Sequence, residues 1–229
     1  MQDVLSQLYL YHCIHYVNYS HSMKHASMKK LLYYALFLLF SPVAQAQFIK
    51  IDNGVLFSSF RNELKLDILT QRNTNYATAL GIDYLQKKHF YVSSQIGYLQ
   101  VGGHEQDDTL IGTGFDQACE QTSFIHINTQ FRYLITTEKP FSPSVFISLG
   151  PFANILSGKK EFKSYYQGYN FQNLYGGLKT ELGITKDLHS VRLGLVGSYM
   201  YNLSPTAKSS ALELTSQSYS IMFTLGYRI

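Results

Sequence analysis

The sequence predicts an all-β fold, an eight-stranded antiparallel up-and-down β-barrel that spans a membrane, and three observations support this prediction. Segments along the chain alternate apolar and polar residues with a period of two. The connections between these segments are alternately long and short, and charged residues recur on one face of each segment. In a transmembrane barrel, lipid contacts one strand face and a polar interior contacts the other.

The last segment, 215–229, shows the clearest two-faced pattern. Its odd positions from 219 onward are all apolar or aromatic, whereas its even positions from 218 onward are mostly small or polar. A period of two predicts a β-strand. Because an open sheet edge in hydrocarbon leaves backbone groups without hydrogen bonds, we expect this strand to pair with the first strand and to close the barrel.

Seven other segments are predicted to be strands, and the first has an alternation too weak to define its register. The segments are 47–60, 76–85, 89–101, 122–135, 143–156, 174–185 and 189–201, with short turns predicted at 86–88, 136–142 and 186–188. Short turns on one side and longer loops on the other are typical of outer-membrane barrels. Pro151 removes a backbone donor inside the fifth segment, so we expect a bulge or a strand end there.

Charged side chains decide which strand faces point inward, because Lys or Arg near the lipid midplane costs about 2–4 kcal/mol. The residues expected in the interior are Asp83, Arg132, Lys179, Glu181, Arg192 and Arg228. Since isolated buried charge is very unfavourable, they are expected to form an ion-pair network. A barrel of eight strands is only just wide enough for side chains to fill it, which favours a plugged lumen over a small channel.

Residues 28–46 are interpreted as a secretory signal peptide. Two lysines precede an apolar run at 31–40, and the small-x-small pattern of Ala44 and Ala46 follows. The alternative is an N-terminal membrane anchor, but the run is about half of the ~20 residues that a spanning helix needs. We therefore expect residues 1–27 to be an upstream extension and residues 47–229 to form the barrel domain.

The composition of the predicted mature chain excludes several classes of function. Its charge is close to neutral and it has no basic patch, so a nucleic-acid partner is not expected. Cys119 is its single cysteine, so no internal disulfide can form. The histidines of residues 1–27 lack the compact spacing of a metal site, and neither a metal nor a cofactor is expected.

The predicted mature chain resembles the small outer-membrane β-barrel proteins of the Bacteroidetes type, most of all the PorT-like group, within the architecture shared by OmpX and the OmpA membrane domain. The resemblance rests on AQAQ at 44–47, FYVSSQIGY at 90–98, SVFISLGPF at 144–152 and LGYRI at 225–229. It implies a location in the Gram-negative outer membrane, assembly by the barrel insertion machinery and no cofactor. For the PorT-like group it also implies an accessory role in protein secretion.

A non-enzymatic barrel whose long extracellular loops contact a partner or a surface is the first functional hypothesis. The aromatic residues of the loop at 157–173 could form its contact patch, or they could pack at the membrane rim. These residues are Tyr165, Tyr166, Tyr169 and Phe171.

A lipid-modifying enzyme, such as a lipid A deacylase, is the alternative from another class. That chemistry needs a His–Ser pair with an acidic residue that orients the histidine. The predicted register turns His126 inward and Ser123 outward, and His189 and Ser190 are adjacent residues at a turn. Neither pair has the required geometry, so we expect no enzymatic activity.

Overall fold

The computed structural model describes residues 46–229 apart from 63, 65, 67, 88, 106–118, 136–142, 163–167 and 211. The described residues form ten strands: β1 (Ala46–Arg61), β2 (Gln71–Lys87), β3 (Phe90–His104), β4 (Cys119–Ile135), β5 (Ser144–Leu156), β6 (Asn170–Phe171), β7 (Leu174–Leu188), β8 (Val191–Asn202), β9 (Ala207–Lys208) and β10 (Glu213–Arg228). Within these residues, no helix is both long and apolar enough to cross a membrane.

The eight long strands form a closed antiparallel barrel, which confirms the predicted fold. Each strand pairs with the next in the order β1-β2-β3-β4-β5-β7-β8-β10. The first and last strands then pair with each other, from Phe48 opposite Arg228 to Arg61 opposite Thr215. The backbone N–H of Ile229 also donates to the carbonyl of Gln47 at 3.2 Å. The barrel therefore has no open edge along this seam.

The two faces of the barrel wall have opposite polarity, as the alternation predicts. On β4, Ile127 is 41% exposed and Phe131 is 52% exposed, whereas Arg132 is only 1% exposed. The same alternation runs along β7 and β10. Apolar side chains therefore cover the outside, and charged and polar side chains are buried inside, which is the reverse of a water-soluble protein.

Several predicted boundaries are wrong. Strand β2 begins at Gln71, so the connection after β1 is shorter than predicted, and β2 continues to Lys87, so the predicted turn at 86–88 begins too early. Strand β7 runs to Leu188, and Leu188 pairs with Val191, so the turn is made by His189 and Ser190 instead of 186–188. His189 takes a positive φ of 55°, as tight two-residue hairpin turns require.

The bulge or strand end expected at Pro151 is absent from β5. The register against β4 is the same on both sides of the proline, although Gly150 and Pro151 have no ladder partner on that strand. Pro151 is paired with Leu178 on the other neighbour, β7. The proline therefore interrupts the β4 ladder at two residues without shifting the register of β5 against either neighbour.

The described parts of the connections after β5 and β8 fold over one end of the barrel, which we call the loop end; the opposite end, where β7 turns into β8, is the turn end. At the loop end, β6 pairs with β9 and β9 pairs with β10 in a small additional sheet. Beneath it lies an aromatic plug, defined as Phe60, Phe124, Phe162, Phe171 and Tyr175. The interior is therefore apolar at the loop end, whereas the sequence pattern predicts a polar interior along the whole barrel.

Candidate functional site: an ionic network inside the barrel

The charged interior is built from five strands whose inward positions carry acids and bases. Seven of these side chains, each 5% exposed or less, form the network: Lys50 and Asp52 on β1, Asp83 on β2, Arg132 on β4, Lys179 and Glu181 on β7, and Arg192 on β8. Glu120, another buried acid, lies at the loop end of β4. The network therefore connects strands that are distant along the chain.

The Asp83 cluster consists of Asp83, Lys50, Asp52, Arg192 and Asp187. The Nζ atom of Lys50 lies 3.2 Å from Asp83 Oδ1 and 3.8 Å from Asp52 Oδ2. Arg192 donates from Nη1 to Asp83 Oδ2 at 2.9 Å, and from Nε and Nη2 to the two oxygens of Asp187 at 2.7 and 2.9 Å. The guanidinium thus bridges a buried carboxylate and one at the turn end.

The Glu181 cluster consists of Glu181, Arg132, Lys179 and Ser148. Arg132 donates to Glu181 Oε2 from Nε at 3.1 Å and from Nη2 at 2.7 Å, and the Ser148 hydroxyl donates to the same oxygen at 3.1 Å. The other carboxylate oxygen lies 2.9 Å from Lys179 Nζ. One buried carboxylate therefore meets two cations and a hydroxyl, which offsets part of its desolvation.

Aromatic rings lie between and beside the two guanidinium groups. The Arg132 and Arg192 Cζ atoms are 5.8 and 5.6 Å from the centroid of Tyr91. Arg132 is also 4.5 Å from the Phe146 centroid, and Arg192 is 3.8 Å from that of Phe48. These stacked rings exclude water from the planar cations while adding cation–π attraction.

The two clusters balance their formal charges. Four cations (Lys50, Arg132, Lys179 and Arg192) face four anions (Asp52, Asp83, Asp187 and Glu181). A balanced set can be buried where an isolated charge of either sign cannot, because each charge retains an opposite partner.

Arg228 is not part of the buried network, contrary to the prediction. Its side chain is 54% exposed, and its Nη2 atom lies 3.7 Å from Asp187 Oδ2. The alternation of β10 does turn this residue toward the lumen side, but β10 ends here and its last residues face solvent. Arg228 instead covers the turn end, with Cζ 5.0 Å from the Phe48 centroid.

Sequence reasoning missed three members of the network, Lys50, Asp52 and Asp187. The signal for two of them was present, because Lys50 and Asp52 alternate with the outward-facing Ile49 and Ile51. The weak alternation further along β1 hid this signal. Asp187 lies in the turn predicted at 186–188, and a turn residue has no predicted strand face.

Of the four aromatic residues named for the loop at 157–173, the structure describes Tyr169 and Phe171, and neither is fully exposed. Phe171 is 1% exposed and lies in the aromatic plug, with its ring centroid 4.5 Å from that of Phe162. Tyr169 is half-buried and stacks on Phe162 at 5.6 Å. Tyr165 and Tyr166 lie outside the described residues. Of the two alternatives for these residues, packing is the one that describes Phe171, because its side chain is buried in the aromatic plug and not available to a partner.

Polar side chains and a small void separate the ionic network from the aromatic plug. His126 Nδ1 donates to Asn154 Oδ1 at 2.6 Å, and Asn128 Nδ2 donates to Gln95 Oε1 at 3.1 Å. A void of about 20 Å³, with His126, Lys179 and Met222 in its lining, has room for about one water molecule. Side chains therefore fill the interior at this level.

The described residues hold no catalytic or metal constellation of the kinds considered. Ser123 faces outward and its hydroxyl lies 2.6 Å from that of Tyr98, whereas His126 faces inward. Within the described part of the chain, no three His, Cys, Asp or Glu side chains are grouped so that they could hold a metal ion.

No protein-family model matches the sequence, and no curated protein matches it. Among solved structures, Ail of Yersinia pestis, crystallised with the heparin analogue sucrose octasulfate, is 14% identical (TM-score 0.42; 80% of this chain and 99% of that chain covered). The N-terminal β-barrel domain of Pseudomonas aeruginosa OprF is 10% identical (TM-score 0.44; 81% and 99%). Neisserial surface protein A is 12% identical (TM-score 0.42; 80% and 96%). At these scores, no function transfers from them to this chain.

Proposed function

We propose that this chain is a non-enzymatic integral outer-membrane β-barrel protein, with a lumen plugged by ion pairs and long loops that contact a partner or a surface. The proposal rests on the polarity of the barrel wall, which has apolar side chains outside and charged side chains inside. Leu182 is 62% exposed on the outside of β7, while its neighbour Glu181 is 3% exposed inside. Such an exterior is stable only if hydrocarbon surrounds it.

Aromatic residues border the apolar exterior at both ends of the strands. Tyr84, Phe90, Tyr133 and Tyr227 lie toward the turn end, and Tyr76, Tyr98, Tyr199, Tyr201 and Tyr219 lie toward the loop end. Tyrosine is enriched at the level of lipid headgroups, where its ring is in contact with apolar chains and its hydroxyl with water. The two aromatic girdles support a bilayer position in which the strands span the hydrocarbon.

The outer membrane is the compartment in which single-chain barrels of this kind reside. The predicted signal peptide would bring the chain to the periplasm, where the barrel insertion machinery would receive it. Strand β1 begins at Ala46, directly at the predicted cleavage site. We expect N-terminal sequencing of the mature protein to start at Gln47; an earlier start would contradict the signal assignment.

The residues inside the barrel favour neither of the two alternative functions, a small channel or a lipid-modifying enzyme. The network and the aromatic plug occupy the space that a conducting channel would need. His126 and Ser123 lie on opposite faces of β4, so they do not form the nucleophile–base pair of a lipid hydrolase. The secretion-accessory role implied by the family resemblance stays a prediction, which cross-linking in native outer membranes would test.

Cell fractionation combined with folding into lipid vesicles tests the proposed function. We expect the protein in the outer-membrane fraction, and we expect an unheated sample to migrate differently from a heated one on a denaturing gel because the closed barrel resists detergent. A folded monomer that stays in solution without detergent would contradict the proposal. Steady single-channel conductance in planar bilayers, or altered lipid A in overproducing cells, would favour the alternatives.

A further inference from the structure

Asn53 presents a carboxamide on the outside of the barrel wall, in the middle of β1. Its side chain is exposed and lies between outward-facing apolar residues of the same strand. On β10 it is opposite Phe223, which is midway between Tyr219 and Tyr227 of the two aromatic girdles. In the proposed membrane position the amide is therefore near the middle of the hydrocarbon, where a polar side chain is costly and marks a functional contact.

The barrel satisfies only part of this amide. Asn53 Nδ2 donates to the Tyr76 hydroxyl at 2.8 Å. Tyr76 is opposite Val55, two residues nearer the loop end than Asn53, so its hydroxyl turns away from the loop-end girdle and toward the middle of the wall. Among the described residues, Asn53 Oδ1 has no hydrogen-bond partner. An acceptor oxygen and the second N–H of the amide therefore stay open toward the lipid.

Several other polar side chains of the outer face have partners within the barrel. The Thr78 hydroxyl donates to a backbone carbonyl of β1 at 3.2 Å. The Ser94 hydroxyl lies 3.0 Å from the Tyr84 hydroxyl and 2.9 Å from that of Thr129. These hydroxyl groups are satisfied inside one copy of the chain, whereas the open oxygen of Asn53 needs a donor from outside it, because an unsatisfied polar group in hydrocarbon costs free energy.

The chemistry of the open amide selects its partner. An acyl chain offers neither a donor nor an acceptor, and lipid headgroups and water lie at the level of the girdles. The partner is therefore a protein with a polar side chain at the same depth. A second copy of this chain, related by a twofold axis along the membrane normal, brings its own Asn53 to that depth. A carboxamide complements itself, because each N–H can donate to the carbonyl oxygen of the other.

The wall around Asn53 suits the packing of side chains against a second barrel. Strands β1 and β10 are joined by a continuous ladder, so a second copy cannot add to an open sheet edge here. Ile51, Ile221 and Phe223 are each 50–52% exposed and surround the amide with apolar surface. Two such faces would meet by van der Waals packing, with the amide pair as the polar contact between them.

We infer that two copies of this chain associate in the membrane through the outer face of β1, with their Asn53 side chains hydrogen-bonded to each other at the twofold axis. The inference rests on the proposed membrane position of the barrel and goes beyond it, because it assigns a partner and a contact residue to one part of the wall.

Energy transfer between labelled copies in lipid vesicles tests this association. Donor and acceptor dyes are attached to Cys119, the single cysteine of the predicted mature chain, which is exposed at the loop end of β4. Transfer should fall as the amount of lipid per protein is raised, and the decrease gives a dissociation constant. We expect Asn53→Leu to raise this constant about tenfold, which corresponds to about 1.4 kcal/mol for the lost amide pair.

Two further variants supply the controls. Thr180→Leu removes another exposed polar side chain from the outer face, but on β7, and should leave the dissociation constant unchanged. Asn53→Gln keeps the donor and the acceptor and should retain most of the association. Folding of each variant is checked by the gel-mobility difference between unheated and heated samples.

Three results would overturn the inferred dimer. Energy transfer at the level of randomly distributed copies at every protein-to-lipid ratio would show that no second copy binds. No effect of Asn53→Leu, or an equal effect of Thr180→Leu, would place the contact away from β1. If the labelled protein does not sediment with the vesicles, the proposed membrane function itself fails, and that result is distinct from the first three.

Discussion

Arg132 Nη2 lies 2.7 Å from Glu181 Oε2, and this contact joins β4 to β7 across 49 residues of sequence inside the barrel. Both side chains are almost completely buried. The pair is surrounded by Lys179, Ser148 and two aromatic rings, so neither charge can be solvated if its partner is lost.

Glu181→Gln is therefore expected to lower the free energy of unfolding by about 3–5 kcal/mol, because it leaves Arg132 and Lys179 as buried cations without their anion. Equilibrium urea unfolding from lipid vesicles measures the change. Glu213→Gln is the control, since Glu213 is paired with Lys208 at the exposed loop end and should contribute about 0–1 kcal/mol. Equal effects of the two substitutions would mean that the interior pair is no more important than a surface one.

Lys50→Met should weaken the attachment of β1 to β2. Lys50 is the β1 cation that meets Asp83 on β2, and Asp83 would keep Arg192 as its cation. We expect faster amide hydrogen exchange in β1 and β2 than in β5 and β7, because the lost pair joins the first two strands. Lys186→Met, at an exposed position of β7, should leave the exchange pattern unchanged. Uniform acceleration in all strands would contradict a local role between β1 and β2.

Phe171→Ala should destabilise the barrel by about 3–5 kcal/mol, because it empties a buried position in the aromatic plug. The loop at 157–173 should also become more sensitive to trypsin at Lys159 and Lys160, since Phe171 anchors it. Leu203→Ala, at a position 69% exposed, should change neither property. If Phe171→Ala altered partner capture while stability stayed constant, the residue would be a surface contact after all.

Arginine substitutions on the outer face should show a dependence on depth in the membrane. Leu182→Arg, near the middle of β7, is expected to cost about 2–4 kcal/mol, whereas Leu174→Arg, at the loop end of the same strand, should cost about 0–1 kcal/mol. The native side chains are similarly exposed, at 62% and 63%. Unfolding from vesicles measures both changes. Equal costs would mean that hydrocarbon does not surround the middle of β7.

The number of long barrel strands, their pairing order and the faces of most of them follow from the sequence, whereas the short strands β6 and β9 do not. A period of two assigns each side chain to one of two faces, and the cost of charge in lipid decides which face is inside. This reasoning assigns Arg132, Glu181 and Arg192 to the interior; in the structure all three are buried, and each lies within a strand with a strong alternation.

Only the tertiary structure decided which interior groups meet and how far the lumen extends. The alternation of apolar and polar residues assigns a side chain to one face of its strand, but it does not give its position along the barrel axis. It therefore could not show that β10 ends at Arg228 in solvent or that Lys50 meets Asp83 across β1 and β2. Phe171 lies in a connection, where no period exists, and its burial depends on how the loop folds over the barrel mouth. Strand faces are local properties of the chain, whereas depth in the lumen and the packing of loops depend on contacts between distant segments.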